Sequence, residues 1–538
     1  MAREKQRQND PVGAPGGDPM GTDVAAPGRF AGQTRTVAAG TLVSRLLGIV
    51  REQVIAYYFG AGAVTDAFVA AFRIPNLLRD FFAEGAFSAA YVPTFTSVLK
   101  KEGRQAAFAL LNRVLTVFSV ILAVICLIGI AVTPQIAWIF AGGVEETPGK
   151  IALLIDLARL MFPFLLLVSL AAVLMGALNA MGRFGVPALA PAGFNVGMIG
   201  GAVILSRFVD PPIVALAWGV LAGGLLQWGV QAMVLRRMGH RYRWDWGWRD
   251  PRVRQIARLM VPAVVGTAAV QVNIMAITRF AWSMGDGPVT YLNFAFRVLF
   301  VPLGVFAVAA ATVGLPRLSE RVAAGDWGGT KAIWTQAIQT VFYLVTPVMI
   351  AFLLMGEPIC AALFERGRFG AEATAHTARA LFFYSLGLPA MATVRVTAPL
   401  FFAHHDTRTP MICGVSSVVV NLILMTVLIG PLGYAGLALS VASAAVVQIG
   451  LLLFLARRRF GPLSLLPAFG HLLVFAAAGW LGVRVGVWIL SAPFLDGIPF
   501  GTVGATVVAV GTAAIVYLLI TWLLGYRQMG SVYRGRGR

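Results

Sequence analysis

The chain is poor in charge and in cysteine, and both shortages narrow its class. Only 12% of its 538 residues are charged, whereas about a quarter is usual in a soluble globular domain. Its mean hydropathy is +0.79, so a soluble fold would expose too much apolar surface. Cys126, Cys360 and Cys413 are widely separated and no CxxC pair occurs, which argues against a disulfide framework or a metal site built on thiolates.

The sequence also lacks the short motifs of several enzyme classes. It contains no HExxH, no GxSxG and no phosphate-binding GxxxxGK[ST]. No pair of neighbouring loop aspartates suits metal-diphosphate chemistry either. These absences argue against hydrolysis, glycosyl transfer and ATP-driven pumping, and we expect no cofactor. Any uphill work must then draw on the membrane potential, an ion gradient or downstream consumption of the product.

What the chain has instead is a series of long apolar runs. A helix of about 20 residues crosses the ~30 Å hydrocarbon core, and continuous apolar runs favour helices over barrel strands. The runs predict an all-α polytopic membrane protein with fourteen transmembrane helices. They are residues 37–60, 66–99, 106–133, 151–181, 187–206, 212–235, 254–284, 288–316, 332–356, 372–403, 409–430, 434–456, 464–491 and 500–525.

Basic residues are distributed very unevenly between the two sets of loops. One set carries twenty-two of them and the opposite set carries four, Lys150, Arg207, Arg366 and Arg368. Because loops rich in lysine and arginine stay in the cytoplasm, both termini are predicted to be cytoplasmic. Residues 1–35 are rich in Gly, Pro, Asp and Arg, and we interpret them as a disordered tail.

A strongly basic connector, residues 237–253, lies near the middle of the chain. It contains Trp244, Trp246 and Trp248 among its arginines. Two interpretations fit this composition: a connector that rests on anionic headgroups, or a solvated loop that only sets the topology. Nucleic acid is not an expected partner, because the sequence offers no nucleic-acid-binding fold to carry the loop.

The two halves of the chain resemble each other at a nearly fixed offset of 224 residues, although chance matching of short apolar motifs is an alternative. The offset covers six spans, so the two copies would run parallel and enclose a cavity between two lobes. The matches are Ala71-Phe72-Arg73 with Ala295-Phe296-Arg297, and the spacing of Ala180 and Pro187 with that of Ala403 and Pro410. The predicted parts are a tail (1–35), a six-helix N-lobe (36–236), the basic connector (237–253), a six-helix C-lobe (254–457), two further helices (458–526) and a basic cytoplasmic tail (527–538).

The first two spans carry many charges for helices this apolar. Ionisable side chains at bilayer depth are costly and usually face a bundle interior or a wet cavity. Arginine presents a planar fork of donors to phosphate or carboxylate, so arginines around a cavity predict an anionic substrate. Snorkelling of each arginine to an interface is the alternative. The predicted substrate-binding residues are Arg45, Arg51, Arg79 and Arg297.

Acidic residues in the same spans have two interpretations. Glu52, Asp80 and Glu84 fit counter-ions that hold an empty site together. Asp66 stands at the start of the second span, where it fits a helix N-cap as well as it fits a functional group. That span would be about 51 Å long as one straight helix, so we expect it to bend or unwind. The expected places are Pro75, Gly85 and Pro93.

Several stretches together point to a family. They include SRLLGIVRE, FGAGAVTDAFVAAFRIPNLLRDFFAEGAFSAAYVP, LNAMGRFGVPALAPAGFNVGMIG, LFERGRF and APLFFAHHDTRTP. Over about residues 36–525 the chain resembles the MurJ (MviN) lipid II flippases, of the multidrug/oligosaccharidyl-lipid/polysaccharide exporter superfamily. The resemblance places the cavity arginines of the family on the four arginines above, acids on Asp66 and Glu84, and basic residues on Arg368 and Arg395. The predicted gating or counter-ion residues are Asp66, Glu84, Arg368 and Arg395, together with Arg73, the repeat partner of Arg297.

Two positions depart from the family pattern. Some relatives have arginine where this chain has Asp80, and an acid where it has Phe296. Both departures weaken any claim that these two neighbours are needed for transport.

The resemblance implies transport, not catalysis. Its substrate would be lipid II, the undecaprenyl-diphosphate-linked peptidoglycan precursor, moved across the bacterial cytoplasmic (inner) membrane by alternating access. The last two helices would form a groove for its tail. Other expected partners are membrane lipids and the cell-wall synthesis machinery, and the expected driving force is the membrane potential or a monovalent cation. The alternatives are a cation or drug antiporter of the same superfamily and a membrane enzyme acting on a polyprenyl carrier.

Overall fold

The computed structural model describes residues 27–82, 86–142, 147–461, 466–491 and 501–526. Within these ranges the regular structure is entirely helical, which confirms the all-α prediction. The first half contains α1 (Pro27–Phe59), α2 (Ala63–Phe82), α3 (Ala86–Ala131), α4 (Thr133–Ala141), α5 (Lys150–Met161), α6 (Pro163–Ala180), α7 (Gly185–Val203) and α8 (Val214–Arg237).

The second half repeats this series of helices and then adds two. It contains α9 (Pro251–Trp282), α10 (Pro288–Pro302), a π-helical turn (Leu303–Ala307), α11 (Val308–Ala323), α12 (Trp327–Phe364), α13 (Ala371–Ser385), α14 (Leu388–Ala403), α15 (Arg408–Leu432) and α16 (Tyr434–Phe460). The additional helices α17 (Leu466–Leu490) and α18 (Thr502–Leu523) pack on each other and on α12.

Helix interruptions and packing partners recur at the predicted offset. The break between α5 and α6 falls at Phe162, and the break between α13 and α14 begins at Leu386, 224 positions later. Helix α7 packs on α8 as α15 packs on α16, and α2 packs on α5 as α10 packs on α13. The pairs α1–α7 and α3–α6 likewise match α9–α15 and α12–α14. We therefore name the two series the N-lobe (α1–α8) and the C-lobe (α9–α16), while their parallel orientation stays a prediction.

The number of membrane spans is smaller when length and apolarity alone are counted. Among the described residues, ten helices meet both conditions, or eleven if the bent pair α13–α14 is one span. Helices α1, α2 and α9 are not among them. The polytopic class is thus confirmed, whereas the count of fourteen stays a prediction.

Close helix packing brings α7 to a fixed position beside α1. At Gly197 of α7, an added Cβ would lie 2.3 Å from the backbone nitrogen of Gly223 on α8. At Gly201 it would lie 2.5 Å from the carbonyl oxygen of Ala215. Only glycine allows backbones to approach this closely. Helix α7 also packs along α1, so this rigid pair supports the charged half of α1.

The structure corrects several predicted boundaries. Helix α1 begins at Pro27, so residues 27–35 are helical and do not belong to a disordered tail, while residues 1–26 and the C-terminal tail (527–538) lie outside the described residues. The connector shortens to 238–250, because α8 ends at Arg237 and α9 begins at Pro251. Helix α16 continues to Phe460, past the predicted end of the C-lobe at 457.

The predicted bends in the second span stay predictions. Pro75 and Pro93 lie inside α2 and α3, which continue through them, and Gly85 is outside the described residues. Gly103, with φ of 84°, is where the backbone leaves helical geometry within α3. A positive φ suits glycine because it has no Cβ, so this position separates the second predicted span from the third.

Candidate functional site

Glu52 lies at the centre of a group of ion pairs that joins the two lobes. Its Oε1 is 3.0 Å from Nε of Arg51, the next residue back on α1, and 3.0 Å from Nη1 of Arg297 on α10. The Glu52 side chain is 8% exposed, whereas that of Arg297 is 38% exposed. A carboxylate of the N-lobe thus holds one arginine from each lobe, and the arginine of the C-lobe remains open to solvent.

Asn195 on α7 fixes Arg51 from the opposite side. Its Oδ1 accepts a hydrogen bond from Nη1 of Arg51 at 2.9 Å, and its Nδ2 donates to the carbonyl oxygen of Ser44 at 3.0 Å. The ring of the neighbouring Phe194 has its centroid 5.6 Å from Cζ of Arg51. The guanidinium is therefore held in one orientation by its protein partners. We name Arg51, Glu52, Asn195 and Arg297 the central cluster.

Arg45 and Arg79 also reach the boundary between the lobes. Arg45 is exposed, and its Nη1 would lie 3.5 Å from a Cβ added at Gly304, in the π-helical turn after α10. Arg79 pairs with Asp80 at 2.8 Å, and Asp80 accepts a hydrogen bond from Nε2 of Gln271 on α9 at 2.8 Å. Arg45 therefore meets the C-lobe directly, and Arg79 is linked to it through Asp80.

Arg73 and Arg395 contact other groups than Glu52. Arg73 donates a hydrogen bond to Oγ1 of Thr278 on α9, which is a second contact of α2 with the C-lobe. Cζ of Arg395 on α14 lies 5.4 Å from the ring centroid of Phe300 on α10. Their gating or counter-ion roles stay predictions.

Asp66 lies in a fully buried contact between the lobes. Its Oδ1 accepts from the backbone nitrogen of Thr290 at 2.8 Å and from Oγ1 of the same residue at 2.6 Å. Its Oδ2 accepts from the backbone nitrogen of Gly287 at 2.7 Å. Gly287 and Thr290 form the start of α10, whose first N–H groups have no partner within the helix. Asp66 therefore caps a helix, as one interpretation predicted, but the helix is α10 of the other lobe.

Lys150 balances the charge of Asp66. Its Nζ lies 3.4 Å from Oδ2 of Asp66 and 2.7 Å from Oδ1 of Asp286, and it donates to the carbonyl oxygen of Gly285 at 3.2 Å. Thr147 donates a hydrogen bond to Asp286 as well. We name Asp66, Lys150, Asp286, Gly287 and Thr290 the outer latch, since it lies at the end that the loop charges predict to face outward.

The pKa of Asp286 reflects these contacts. Burial would raise the pKa of this loop carboxyl group, but the hydrogen bonds from Lys150 and Thr147, with the charge of Lys150, outweigh it. The pKa therefore lies below its ordinary value, and Asp286 is ionised throughout the neutral range.

The loop that contains Arg368 meets α1 at the same end of the molecule. The backbone nitrogen of Arg368 donates to the carbonyl oxygen of Tyr57 at 3.0 Å, while its side chain is exposed. A Cβ at Gly60 would lie 2.5 Å from the carbonyl oxygen of Arg368, so the two backbones are in close contact. The structure thus places Arg368 beside the end of α1 through its main chain. Glu84 lies outside the described residues.

Sequence reasoning missed several residues of these sites, including Asp286 and Gly287 of the outer latch. Asn195, Gln271, Lys150 and Thr290 carry no motif that separates them from neighbouring polar residues. One signal was available for Thr290, which lies 224 positions after Asp66 and so is its equivalent in the repeat. Equivalent residues near the axis of a parallel repeat meet each other, and this offset pointed to the contact.

An apolar groove of about 670 Å³ lies between α12, α17 and α18. It is lined almost entirely by apolar side chains, among them Phe352, Val483 and Val510, with the Tyr343 and Tyr517 rings at one side. Phe306 of the π-helical turn closes it towards α10. The groove has the dimensions and lining of a site for an aliphatic chain.

Comparison with known proteins identifies the family. The family model for lipid II flippase MurJ matches residues 55–524. The chain belongs to the MurJ family. The lipid II flippase MurJ of Burkholderia cenocepacia is 35% identical over 433 residues, covering 79% of this chain and 83% of the relative. The probable lipid II flippase MurJ of Rhizobium meliloti is 34% identical over 516 residues, covering 93% and 95%.

Solved structures support the fold of this MurJ family member. A lipid II flippase MurJ in an inward closed conformation has a TM-score of 0.75 at 23% identity, covering 92% of this chain and 99% of that one. An inward-facing multidrug resistance MATE transporter of the MOP superfamily has a TM-score of 0.65 at 15% identity, covering 78% and 94%. The chain is thus a multi-pass membrane protein with the fold of this transporter superfamily.

Proposed function

We propose that this MurJ family member moves lipid II from the cytoplasmic to the outer leaflet by alternating access. The observation that carries the proposal is the central cluster, where arginines of both lobes converge on one carboxylate. Two neighbouring guanidinium groups, of which Arg297 is 38% exposed, suit a diphosphate, because each can donate paired hydrogen bonds to its oxygens. The names of the relatives supply the particular diphosphate.

In the mechanism that we infer, the substrate exchanges with Glu52. The carboxylate occupies Arg51 and Arg297 in the empty protein, which avoids leaving two guanidinium groups unpaired. An arriving diphosphate takes over these donors and frees Glu52. Arg45 and Arg79, at the same boundary, add positive charge on the substrate's route. Binding thereby changes the contact that links α1 to α10, so loading the site alters the relation of the lobes.

The outer latch keeps the opposite end closed while the substrate enters. The Asp66 carboxylate and the Lys150 ammonium group are almost completely buried, so opening this end must rehydrate them. In alternating access, the lobes rock until the latch separates and the site faces outward. The prenyl tail stays in the groove between α12, α17 and α18 while the polar headgroup crosses the protein interior.

The energy source in this proposal is the membrane potential or a monovalent cation, with no cofactor. Moving one charge through 100 mV is worth about 2.3 kcal/mol. An inward reset of the empty, arginine-rich site uses an inside-negative potential, because positive charge then moves towards the cytoplasm. The protein works as a transporter and not as an enzyme, in the bacterial inner membrane with both termini in the cytoplasm. Membrane lipids surround it, and the cell-wall synthesis machinery uses its product.

A proteoliposome assay tests the proposed function. Full-length protein should translocate lipid II, and Arg51→Ala should reduce the rate at least about a hundredfold, because it removes an oriented donor pair and leaves Glu52 with one partner fewer. Arg321→Ala is the matched control, since Arg321 pairs only with Asp326 among the described residues of the α11–α12 loop. An absence of lipid II translocation by the wild type, or equal rates in Arg51→Ala, would contradict the proposal.

The structural likeness to a MATE transporter makes a cation or drug antiporter the second candidate. Such a protein needs acidic groups that face its cationic substrate. Glu52, the acid of the central cluster, is instead held by two arginines. Preferential binding of an organic cation over lipid II would favour the antiporter, and metal-dependent turnover of a polyprenyl carrier would favour an enzyme.

A further inference from the structure

The basic connector between α8 and α9, residues 238–250, is called the basic loop from here on. It is held along one face of α3. The backbone carbonyl of Met238 accepts a hydrogen bond from Arg104. His240 bonds Asn112 at 2.8 Å, and burial lowers the pKa of its imidazole, which favours the neutral form at neutral pH. The Tyr242 hydroxyl lies 3.0 Å from that of Thr116. The α3 partners share one helix face at intervals of four residues: Arg104, Phe108, Asn112 and Thr116.

Both acidic residues of the loop are turned inwards. Arg113 of α3 lies 2.9 Å from a carboxylate oxygen of Asp245 and 2.6 Å from one of Asp250. Asp250 also caps α9 by accepting from the backbone nitrogen of Arg252 at 2.8 Å. At Gly247 an added Cβ would lie 2.5 Å from Cγ of Arg113, so glycine lets the loop close over this side chain. Both carboxylates of the loop therefore face one arginine of α3 and not the outer side of the loop.

The other side of the loop presents only aromatic and basic groups. Tyr242, Trp244, Trp246 and Trp248 are 44–66% exposed. The arginines between and beside them, Arg241, Arg243 and Arg249, are also exposed, and no carboxylate of the described ranges pairs with them. An ordered loop that exposes three tryptophans is unusual in water, because each ring leaves a large apolar surface unburied.

The depth of the loop relative to the membrane follows from α3. Residues 114–131 of this helix contain no charged side chain and are about 27 Å long, close to the thickness of a hydrocarbon core. Thr116, which contacts Tyr242 and the backbone of Asp245, stands at the start of this stretch. The tryptophans near it therefore lie at the level where apolar core and headgroups meet.

We propose that the basic loop is a docking surface for anionic lipid headgroups of the cytoplasmic leaflet. Tryptophan and tyrosine favour the membrane interface, where ring and polar edge are both satisfied. Arginine on the same surface binds phosphate oxygens through its planar fork. The loop joins α8 to α9, so docking holds the link between the lobes at a fixed depth. The loop is ordered and turns its aromatic and basic groups away from α3. This arrangement favours the interpretation as a lipid-binding surface over that as a solvated loop.

Quenching of tryptophan fluorescence tests the proposal with full-length protein in phosphatidylcholine nanodiscs. Brominated-chain phosphatidylglycerol or brominated-chain phosphatidylcholine is added at equal mole fraction. The quenching lost in Trp244→Phe/Trp246→Phe/Trp248→Phe is assigned to the loop. We expect the quenching of the loop to be stronger with phosphatidylglycerol than with phosphatidylcholine. The triple variant Arg241→Gln/Arg243→Gln/Arg249→Gln should abolish this difference. Each arginine should contribute about five-fold to the preference for phosphatidylglycerol. High salt should weaken it too.

Arg408→Gln/Arg457→Gln/Arg458→Gln is the matched control, because it removes three exposed arginines from the same side of the C-lobe. It should keep the preference for phosphatidylglycerol. Equal quenching by both lipids in the wild type would overturn the proposal, as would an excess that survives loss of the loop arginines. Loop tryptophans that neither lipid quenches would also overturn it, since the loop would then lie in water or beneath a protein partner. The test does not measure lipid II translocation, so its outcome does not depend on the proposed function.

Discussion

Charged groups join the two lobes at two places that differ in how far water reaches them. In the outer latch, the Asp66 side chain is 0% exposed and that of Lys150 is 2% exposed. In the central cluster, Arg297 is 38% exposed. A dry pair with every oxygen hydrogen-bonded has no route to exchange partners with a solute. A pair that water reaches can exchange its carboxylate for a dissolved anion.

The two places should therefore respond differently to mutation. Removing one member of a buried pair costs about 3–5 kcal/mol, because the remaining charge is left without a partner. In the central cluster water reaches the pair from the Arg297 side only, since Glu52 is 8% exposed, so we expect losing the Arg297–Glu52 contact to cost less than losing the latch pair. We infer that the latch stabilises one conformation of the lobes, whereas the cluster binds the substrate.

Asp66→Asn should have the largest effect on this comparison. The amide cannot accept all the hydrogen bonds from Gly287 and Thr290, and Lys150 loses one of its two carboxylates. We expect the closed outer end to lose about 3 kcal/mol. Val289→Cys reports the change, since Val289 is 1% exposed beside the latch and becomes accessible to an impermeant maleimide when the end opens. If Val289→Cys is labelled equally in the presence and absence of Asp66→Asn, the outer latch does not keep this end closed.

Asp80→Asn should have a smaller effect than Asp66→Asn, and it should strengthen the binding of lipid II. Asp80 neutralises Arg79 and accepts from Gln271, and both charged side chains are about a quarter exposed. Loss of its charge should tighten binding of lipid II by about five-fold, equivalent to about 1 kcal/mol. Titration of the purified protein with lipid II measures the change. Weaker binding would mean that Asp80 orients Arg79 and does not compete with the substrate.

The smallest expected effect is on how the thermal stability of the protein depends on pH. Because the pKa of Asp286 is lower in the folded protein, its stabilising contribution is present above the unfolded value of about 3.9 and is lost as pH falls through the folded value. The difference in thermal stability between wild type and Asp286→Asn should be constant from pH 8 to pH 5 and shrink only below about pH 4. A difference that changes between pH 6 and pH 8 would contradict this assignment.

Much of the architecture was predictable because it depends on periodic features of the sequence. Apolar runs indicated the helices, and short matches such as Ala71-Phe72-Arg73 with Ala295-Phe296-Arg297 indicated the repeat. The interruptions at Phe162 and Leu386 were not predicted, although Pro163 follows the first and Gly387 and Pro389 follow the second, because each lies within a long apolar run. The short helix α4 was likewise not predicted, although Pro134 stands in its first turn.

The site was predictable in its residue types but not in its pairings. Charge in an apolar span singled out Arg51 and Arg297, and it indicated Glu52 as a counter-ion. That one carboxylate binds both arginines depends on how two distant helices pack, which local patterns do not encode. Asp66 shows the same limit, because its N-cap character was visible while the helix that it caps is α10, whose N-cap residue Gly287 lies 221 residues later.

The most direct test of the central claim compares binding of lipid II to purified wild type, Glu52→Gln and Arg297→Gln. If the substrate diphosphate takes over the donors that Glu52 occupies, Glu52→Gln removes the competitor while keeping its shape. The account predicts that Glu52→Gln binds about five-fold more tightly and that Arg297→Gln binds more weakly than wild type. Weaker binding by Glu52→Gln, or binding unchanged in both variants, would contradict exchange at the central cluster.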